Sequence, residues 1–187
     1  TLGSVGLVGA ILAWFFLLQP YQKQRLTSFV DSEADTQGAS YNARQSLIAA
    51  GSGQLFGRGL GQGVQSHLRF LPERQTDFIF ASFAEEFGFA GTLIILCLYL
   101  SLISFVLITG YQAQDQAAFQ YCLIIGVMLA LQTGVNIGMN IGLLPITGLT
   151  LPFLSYGGSS VLSLVAMLGL VQNIACNTQP KPLLHLS

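Results

Sequence analysis

An all-α, polytopic membrane helix bundle is the fold class this sequence predicts, and three observations lead to it. Only 8% of the 187 residues are charged and 52% are hydrophobic, whereas a soluble domain carries about 25% charged residues. So few charges cannot cover a water-facing surface, and lipid must cover much of it. The chain also holds four stretches close to the ~20 apolar residues that a membrane-crossing helix needs. Finally, charge is segregated: thirteen of the fifteen Asp, Glu, Lys and Arg residues lie between Lys23 and Glu86, leaving only Asp115 and Lys181 outside.

The first predicted span runs from Thr1 to about Leu18 and is ended by Pro20. The sequence opens inside this apolar run with no Met and no basic leader. It therefore reads as a fragment that begins within a membrane helix, not as a signal peptide. The second span covers 78–109, with its driest part at 90–108; the third covers 117–137 and the fourth 153–174. A tight joint, YQAQDQ at 111–116, separates the second from the third. Pro152 suits the start of the last helix, where its missing N–H costs nothing. All of 1–187 reads as one transmembrane domain.

Residues 20–77 form the long aqueous or interfacial connection. YQKQRLTSFV places Leu26, Phe29 and Val30 at helical spacing, as in a helix lying in the headgroup plane. SYNARQSLIAAG predicts a second short helix, with Ser40 as N-cap and Gly51 as its stop. Six of the seven Lys and Arg residues fall in this connection, so a simple positive-inside count turns it to the cytoplasm. That rule holds for short loops, and orientation stays open on charge alone.

Composition excludes some functions. The net charge of −1 gives no electrostatic footprint for nucleic acid. Cys97, Cys122 and Cys176 form no CxxC pair and no His/Cys cluster, so they read as small apolar filler without metal or disulfide. The glycine-rich run GSGQLFGRGLGQG at 51–63 lacks the Lys-Ser/Thr pair of a phosphate loop. Its alternating glycines suit irregular backbone held close to another surface, either a plain loop or a cavity wall.

Two regions carry candidate chemistry. In FLPERQTDFIF (70–80), charged residues abut an apolar run. Asp77 reads there either as a helix N-cap stabilised by the helix dipole or as a general base at the lipid boundary. Glu85 and Glu86 lie further along the same span and are site candidates by depth; the alternative is an ion pair with Arg69 or Arg74. In NIGMNIGLLPITGLTLPFLSYGGSS (136–160), Gly, Pro and Asn interrupt a membrane-depth stretch. Such backbone survives only when packed in protein or lining water. Ser155, Ser159 and Ser163 recur every four residues and read as a small-residue packing strip.

Residues 51–91 and 136–160 together resemble the two signature regions of the shape, elongation, division and sporulation (SEDS) family, the RodA/FtsW/SpoVE group. YQKQRLTSFVD fits as well, and QSHLRFLPERQTDF looks closer to the RodA branch. Gln75 stands where the family often has His. The resemblance covers nearly the whole chain in the right order. It implies roughly the C-terminal half of a bacterial plasma (inner) membrane protein of about ten helices, with the 20–77 loop extracytoplasmic. It also implies a peptidoglycan glycosyltransferase that polymerises lipid II onto an undecaprenyl-pyrophosphate-linked glycan, beside a class B penicillin-binding protein. The family's essential loop aspartate falls on Asp77, the expected catalytic base. Beyond what the resemblance carries over, Arg74, Glu73, Arg69, Glu85 and Ser155 are the expected substrate-binding residues, the arginines being the basic residues near enough in sequence to meet the departing pyrophosphate. No metal site and no cofactor is called for, a divalent cation staying open, and a fragment without the earlier spans is expected to be inactive alone. The rival readings are a lipid-linked precursor flippase or transporter, a non-catalytic scaffold activating the penicillin-binding protein, and a lipid-linked sugar ligase.

Overall fold

The computed structural model describes residues 39–63 and 75–177. Among the described residues four helices follow in order: α1 (Ala39–Ser52), α2 (Ile79–Gln112), α3 (Gln116–Asn140) and α4 (Gly158–Asn177). The last three are each long and apolar enough to cross a membrane. The apolar run at 1–18 and the interfacial helix expected at 21–30 lie outside the described residues.

Helix α2 is broken. Gly88 takes φ 67° and ψ −165° inside it, a conformation open to glycine and strained for other residues. Beyond the break, residues 89–112 extend about 36 Å at ~1.5 Å per residue, enough for a hydrocarbon core of about 30 Å. The break frees backbone groups, and the loop after α1 takes them up. Arg58 N–H donates to the Glu85 carbonyl (3.0 Å) and Gly59 N–H to that of Glu86 (3.1 Å). In return, Phe89 N–H donates to the Gln54 carbonyl (2.8 Å) and Ala90 N–H to that of Leu55 (3.0 Å). The glycine run is thus a backbone splint laid against a broken helix. Glycine is required for this approach: a Cβ on Gly57, itself at φ +79°, would stand 2.0 Å from the Glu86 carbonyl oxygen.

Helices α2 and α3 form an antiparallel pair joined through 113–115, where Ala113 N–H closes onto the Thr109 and Gly110 carbonyls, both at 3.1 Å. Small residues set the crossing. Gly110 faces Cys122, and Gly126 faces Leu107, as expected where helices approach without water to drive them together. Val106, Cys122, Ile125 and Leu129 join Leu164 and Val171 of α4 in one apolar core. Cys122 is therefore buried filler, while Cys97 and Cys176 are exposed.

Helix α3 ends in a paired turn. Leu143 N–H reaches back to the Gly138 carbonyl (2.8 Å) and Gly142 N–H to that of Met139 (3.3 Å). Gly142 supplies the positive φ of 74° that this six-to-one closure needs. The stop leaves Asn140 on the last helical turn, facing the start of α2.

Three sequence-level expectations shift. Ser40 lies inside α1, and the helix runs past Gly51 to Ser52. Pro152 sits in an irregular turn, because α4 begins only at Gly158. Ser155 therefore precedes that helix and cannot share a helical strip with Ser159 and Ser163.

Candidate functional site

The candidate site is built where the turn 75–78 meets the end of α3 and the irregular stretch 141–157. The cap position of α2 is Phe78, whose side chain makes no capping hydrogen bond. The N-cap expectation for Asp77 thus gives way: Asp77 stands one residue ahead of the cap and is half-buried. Phe78, at the cap position, is buried with Ala49 and Ala81 between α1 and α2.

The backbone around Asp77 is fastened from three directions. Asn136 and Asn140, both fully buried, each donate an amide hydrogen to the Asp77 carbonyl, both at 3.1 Å. Asn136 Nδ2 also donates to the Leu149 carbonyl (2.7 Å), and Asn140 Nδ2 lies 2.8 Å from the Asn136 carbonyl. Ser155 Oγ donates to the Thr76 carbonyl (2.7 Å) and accepts from Leu151 N–H (2.8 Å). Tyr156 N–H donates to the Gln75 carbonyl (2.8 Å). Three successive carbonyls, those of residues 75, 76 and 77, are therefore held by groups from one distant segment. Each buried hydrogen bond of this kind contributes about 0.5–1.5 kcal/mol net, and leaving its partner unsatisfied costs about 1–3 kcal/mol.

That segment is itself anchored. The Tyr99 hydroxyl donates to the Pro152 carbonyl, and Leu151 packs against Phe80 and Tyr99. Phe153 holds φ 63°, a left-handed conformation that costs a residue with a side chain roughly 1–2 kcal/mol. The hydrogen bonds on either side of Phe153 offset that cost and fix the direction from which Ser155 approaches.

The expected site residues are not all together. Asp77 and Ser155 meet through the Thr76 backbone. Glu85 lies two turns along α2, fully buried, with its carboxylate packed on Gly63, where a Cβ would come within 2.8 Å of Oε2. Glu86 is half-buried, and its carbonyl takes up the glycine loop. Arg69, Glu73 and Arg74 lie outside the described residues. Among the described residues no group of three or more His, Cys, Asp or Glu is placed to hold a metal ion. An apolar groove of about 420 Å³ lies beside the helix break, between Gln54, Phe80, Phe89 and Ile141. Sequence reading missed Asn136 and Asn140. Their signal was present: two carboxamides four residues apart on one face of an apolar helix, where polar groups are expensive and need partners.

Comparison with known proteins shows what the chain as a whole is similar to. Residues 1–180 match the FtsW/RodA/SpoVE family, described as cell cycle protein. The peptidoglycan glycosyltransferase MrdB of Escherichia coli K12 is 48% identical over 175 residues, covering 91% of this chain and 47% of MrdB. A probable peptidoglycan glycosyltransferase FtsW of Pseudoalteromonas atlantica is 44% identical over 169 residues, covering 89% of this chain and 34% of that protein. A chain in a solved peptidoglycan synthase complex that coordinates polymerization and crosslinking superposes with a TM-score of 0.72 at 29% identity. That match covers 96% of this chain and 48% of the solved one. The chain spans about half the length, or less, of the relatives it matches.

Proposed function

The chain belongs to the FtsW/RodA/SpoVE family, and from that premise we propose that the protein it comes from is a peptidoglycan glycosyltransferase of the bacterial plasma membrane, with Asp77 as its general base. The observation that carries the reading is the fastening of the backbone at 75–77 by Asn136, Asn140, Ser155 and Tyr156. A base must be held within hydrogen-bond reach of the proton it removes, and a carboxylate on a backbone pinned at three carbonyls can be so held.

In this reading Asp77 takes the proton of the sugar 4-hydroxyl of one lipid II. That oxygen bonds to the anomeric carbon of the donor glycan. The bond from that carbon to undecaprenyl pyrophosphate breaks, and the pyrophosphate leaves with both electrons. Arg69 and Arg74 would meet its growing charge, with Glu73 orienting them. Ser155 serves the same site by holding the Thr76 carbonyl, and Glu85 by fixing α2 against the glycine loop. Both substrates keep their prenyl tails in lipid, so the sugars meet the protein at the membrane boundary, with the 20–77 connection on the extracytoplasmic side. A class B penicillin-binding protein would use the strands.

The transporter reading draws on the broken helix, since half-helices often bind cargo in transporters. Here the groups freed at Gly88 are taken by backbone of residues 54–59, which favours a structural break. The test is Asp77→Asn in the full-length protein, purified away from other polymerases and supplied with labelled lipid II. Strand synthesis should fall about 10²–10⁴-fold with lipid II binding kept. Strand synthesis at the wild-type rate removes Asp77 as base. Wild-type protein that never forms strands on its own supports the scaffold instead.

A further inference from the structure

We propose that Asn140, assisted by Asn136, is a positioning residue that sets where Asp77 points by inserting its carboxamide into the first turn of α2. The proposal rests on the reading of Asp77 as the base.

In a helix running from residue 77, the Ala81 N–H would donate to the Asp77 carbonyl, four residues back. Here it donates to Asn140 Oδ1 at 3.2 Å, while Asn140 Nδ2 donates to the Asp77 carbonyl at 3.1 Å. The side-chain amide thus stands between the two backbone groups, satisfying the donor with its oxygen and the acceptor with its nitrogen. Backbone closure begins one residue later, at Ser82 N–H to the Phe78 carbonyl (3.2 Å). The amide orientation follows from its neighbours. A flipped Asn140 would set its oxygen against the Asp77 carbonyl and its NH₂ against the Ala81 N–H. Asn136 fills the second lone pair of the Asp77 carbonyl and is oriented in turn by the Leu149 carbonyl (2.7 Å).

The consequence is directional. With the amide in place, Asp77 is kept out of the helix and its Cα–Cβ bond leaves a turn. Without it, the Ala81 N–H can recapture the Asp77 carbonyl. The helix then winds back by one residue, and the carboxylate swings with the new dihedral angles. The Schellman turn at Gly142 and the Ser46 hydroxyl, 3.3 Å from the Asn140 carbonyl, hold Asn140 at this level. The site carboxylate is therefore aimed by a residue 63 positions away in sequence.

The experiment uses the full-length protein in lipid nanodiscs with labelled lipid II. Asn140→Ala, Asn136→Ala, Asp77→Asn and the double variant Asn140→Ala/Asp77→Asn are compared for kcat and KM. Asp77→Cys, with the other cysteines replaced, is reacted with a water-soluble thiol reagent, with and without Asn140→Ala. Displacing a catalytic group by about 1 Å can cost about 10²-fold. Asn140→Ala should therefore lower kcat on that order and leave KM within about threefold. It should lower kcat no further in the Asp77→Asn background, since residues acting through one group are not additive. The labelling rate of the Asp77→Cys thiol should change about tenfold or more, as its exposure changes with the turn. Unchanged kcat in Asn140→Ala overturns the proposal. So does an equal fall in both backgrounds with unchanged labelling, which is what loss of stability alone would give. If Asn140→Ala does not fold, Asn140→Ser, which is too short to bridge the Ala81 N–H and the Asp77 carbonyl, carries the same readings. If Asp77→Asn polymerises normally, the base reading fails, and the labelling rate alone decides whether Asn140 sets the turn.

Discussion

Gly57→Ala tests the splint across the broken helix. The added Cβ would lie 2.0 Å from the Glu86 carbonyl oxygen and 2.5 Å from its carbon. Both are backbone atoms of a helix and cannot swing aside, so the loop must withdraw. Withdrawal by an ångström or more breaks the bonds from Arg58 N–H to the Glu85 carbonyl (3.0 Å) and from Gly59 N–H to the Glu86 carbonyl (3.1 Å). Two unsatisfied backbone groups cost about 1–3 kcal/mol each. Alanine at φ +79° adds roughly 1–2 kcal/mol. The sum is at least about 3 kcal/mol, which in a full-length protein about twice as long as this chain corresponds to a fall in Tm on the order of 4 °C or more. The assay is thermal unfolding of the purified full-length protein, followed by loss of the monodisperse peak in size exclusion. Gly51→Ala is the control, because a Cβ there meets nothing within 4 Å; it should leave Tm unchanged or raise it slightly. A Gly57→Ala protein that melts within a degree of wild type would refute the close approach and the splint built on it.

Three further outcomes follow from the packing. Ser155→Ala removes a donor to the Thr76 carbonyl and an acceptor for Leu151 N–H; hydrogen exchange at the Leu151 amide should quicken about fivefold or more, for a cost of about 1–3 kcal/mol. Tyr99→Phe leaves the Pro152 carbonyl without its hydroxyl donor and should destabilise by about 1–3 kcal/mol, read as a lower Tm with the same helix content by circular dichroism. Gly126→Val drives a side chain into Leu107, whose Cδ2 lies 2.5 Å from a Cβ at 126. It should cost about 1–3 kcal/mol by overpacking, whereas Gly134→Ala, with open space around its Cβ, should melt like wild type.

Much of the architecture is legible without coordinates, for a local reason. Whether a stretch can cross a membrane depends on its length and the sum of its own side chains. Three apolar runs accordingly emerge as Ile79–Gln112, Gln116–Asn140 and Gly158–Asn177. The motifs around Asp77 and at 136–160 were also legible, as was the family they resemble. Residue roles were less so. Asp77 reads as a helix cap, but the Ala81 N–H that would close on its carbonyl donates to Asn140 Oδ1, and the helix starts one residue later. Ser155 looked like part of a packing strip because its spacing fits a helix, yet the helix begins after it at Gly158.

Only the tertiary structure decided what the polar residues inside the apolar runs are for. Glycines at 53, 57 and 88 read singly as permissive backbone. Together they are the contact between a loop and a broken helix, where a Cβ on any of them would overlap backbone of the other segment. Asn136 and Asn140 read singly as costly amides at membrane depth. Their partners are carbonyls at 77 and 149, and nothing in the local sequence names those positions. Hydropathy is additive along the chain and can be read from it. Hydrogen-bond pairing between segments depends on which backbone groups the fold brings within about 3 Å, and that is settled only when the helices pack.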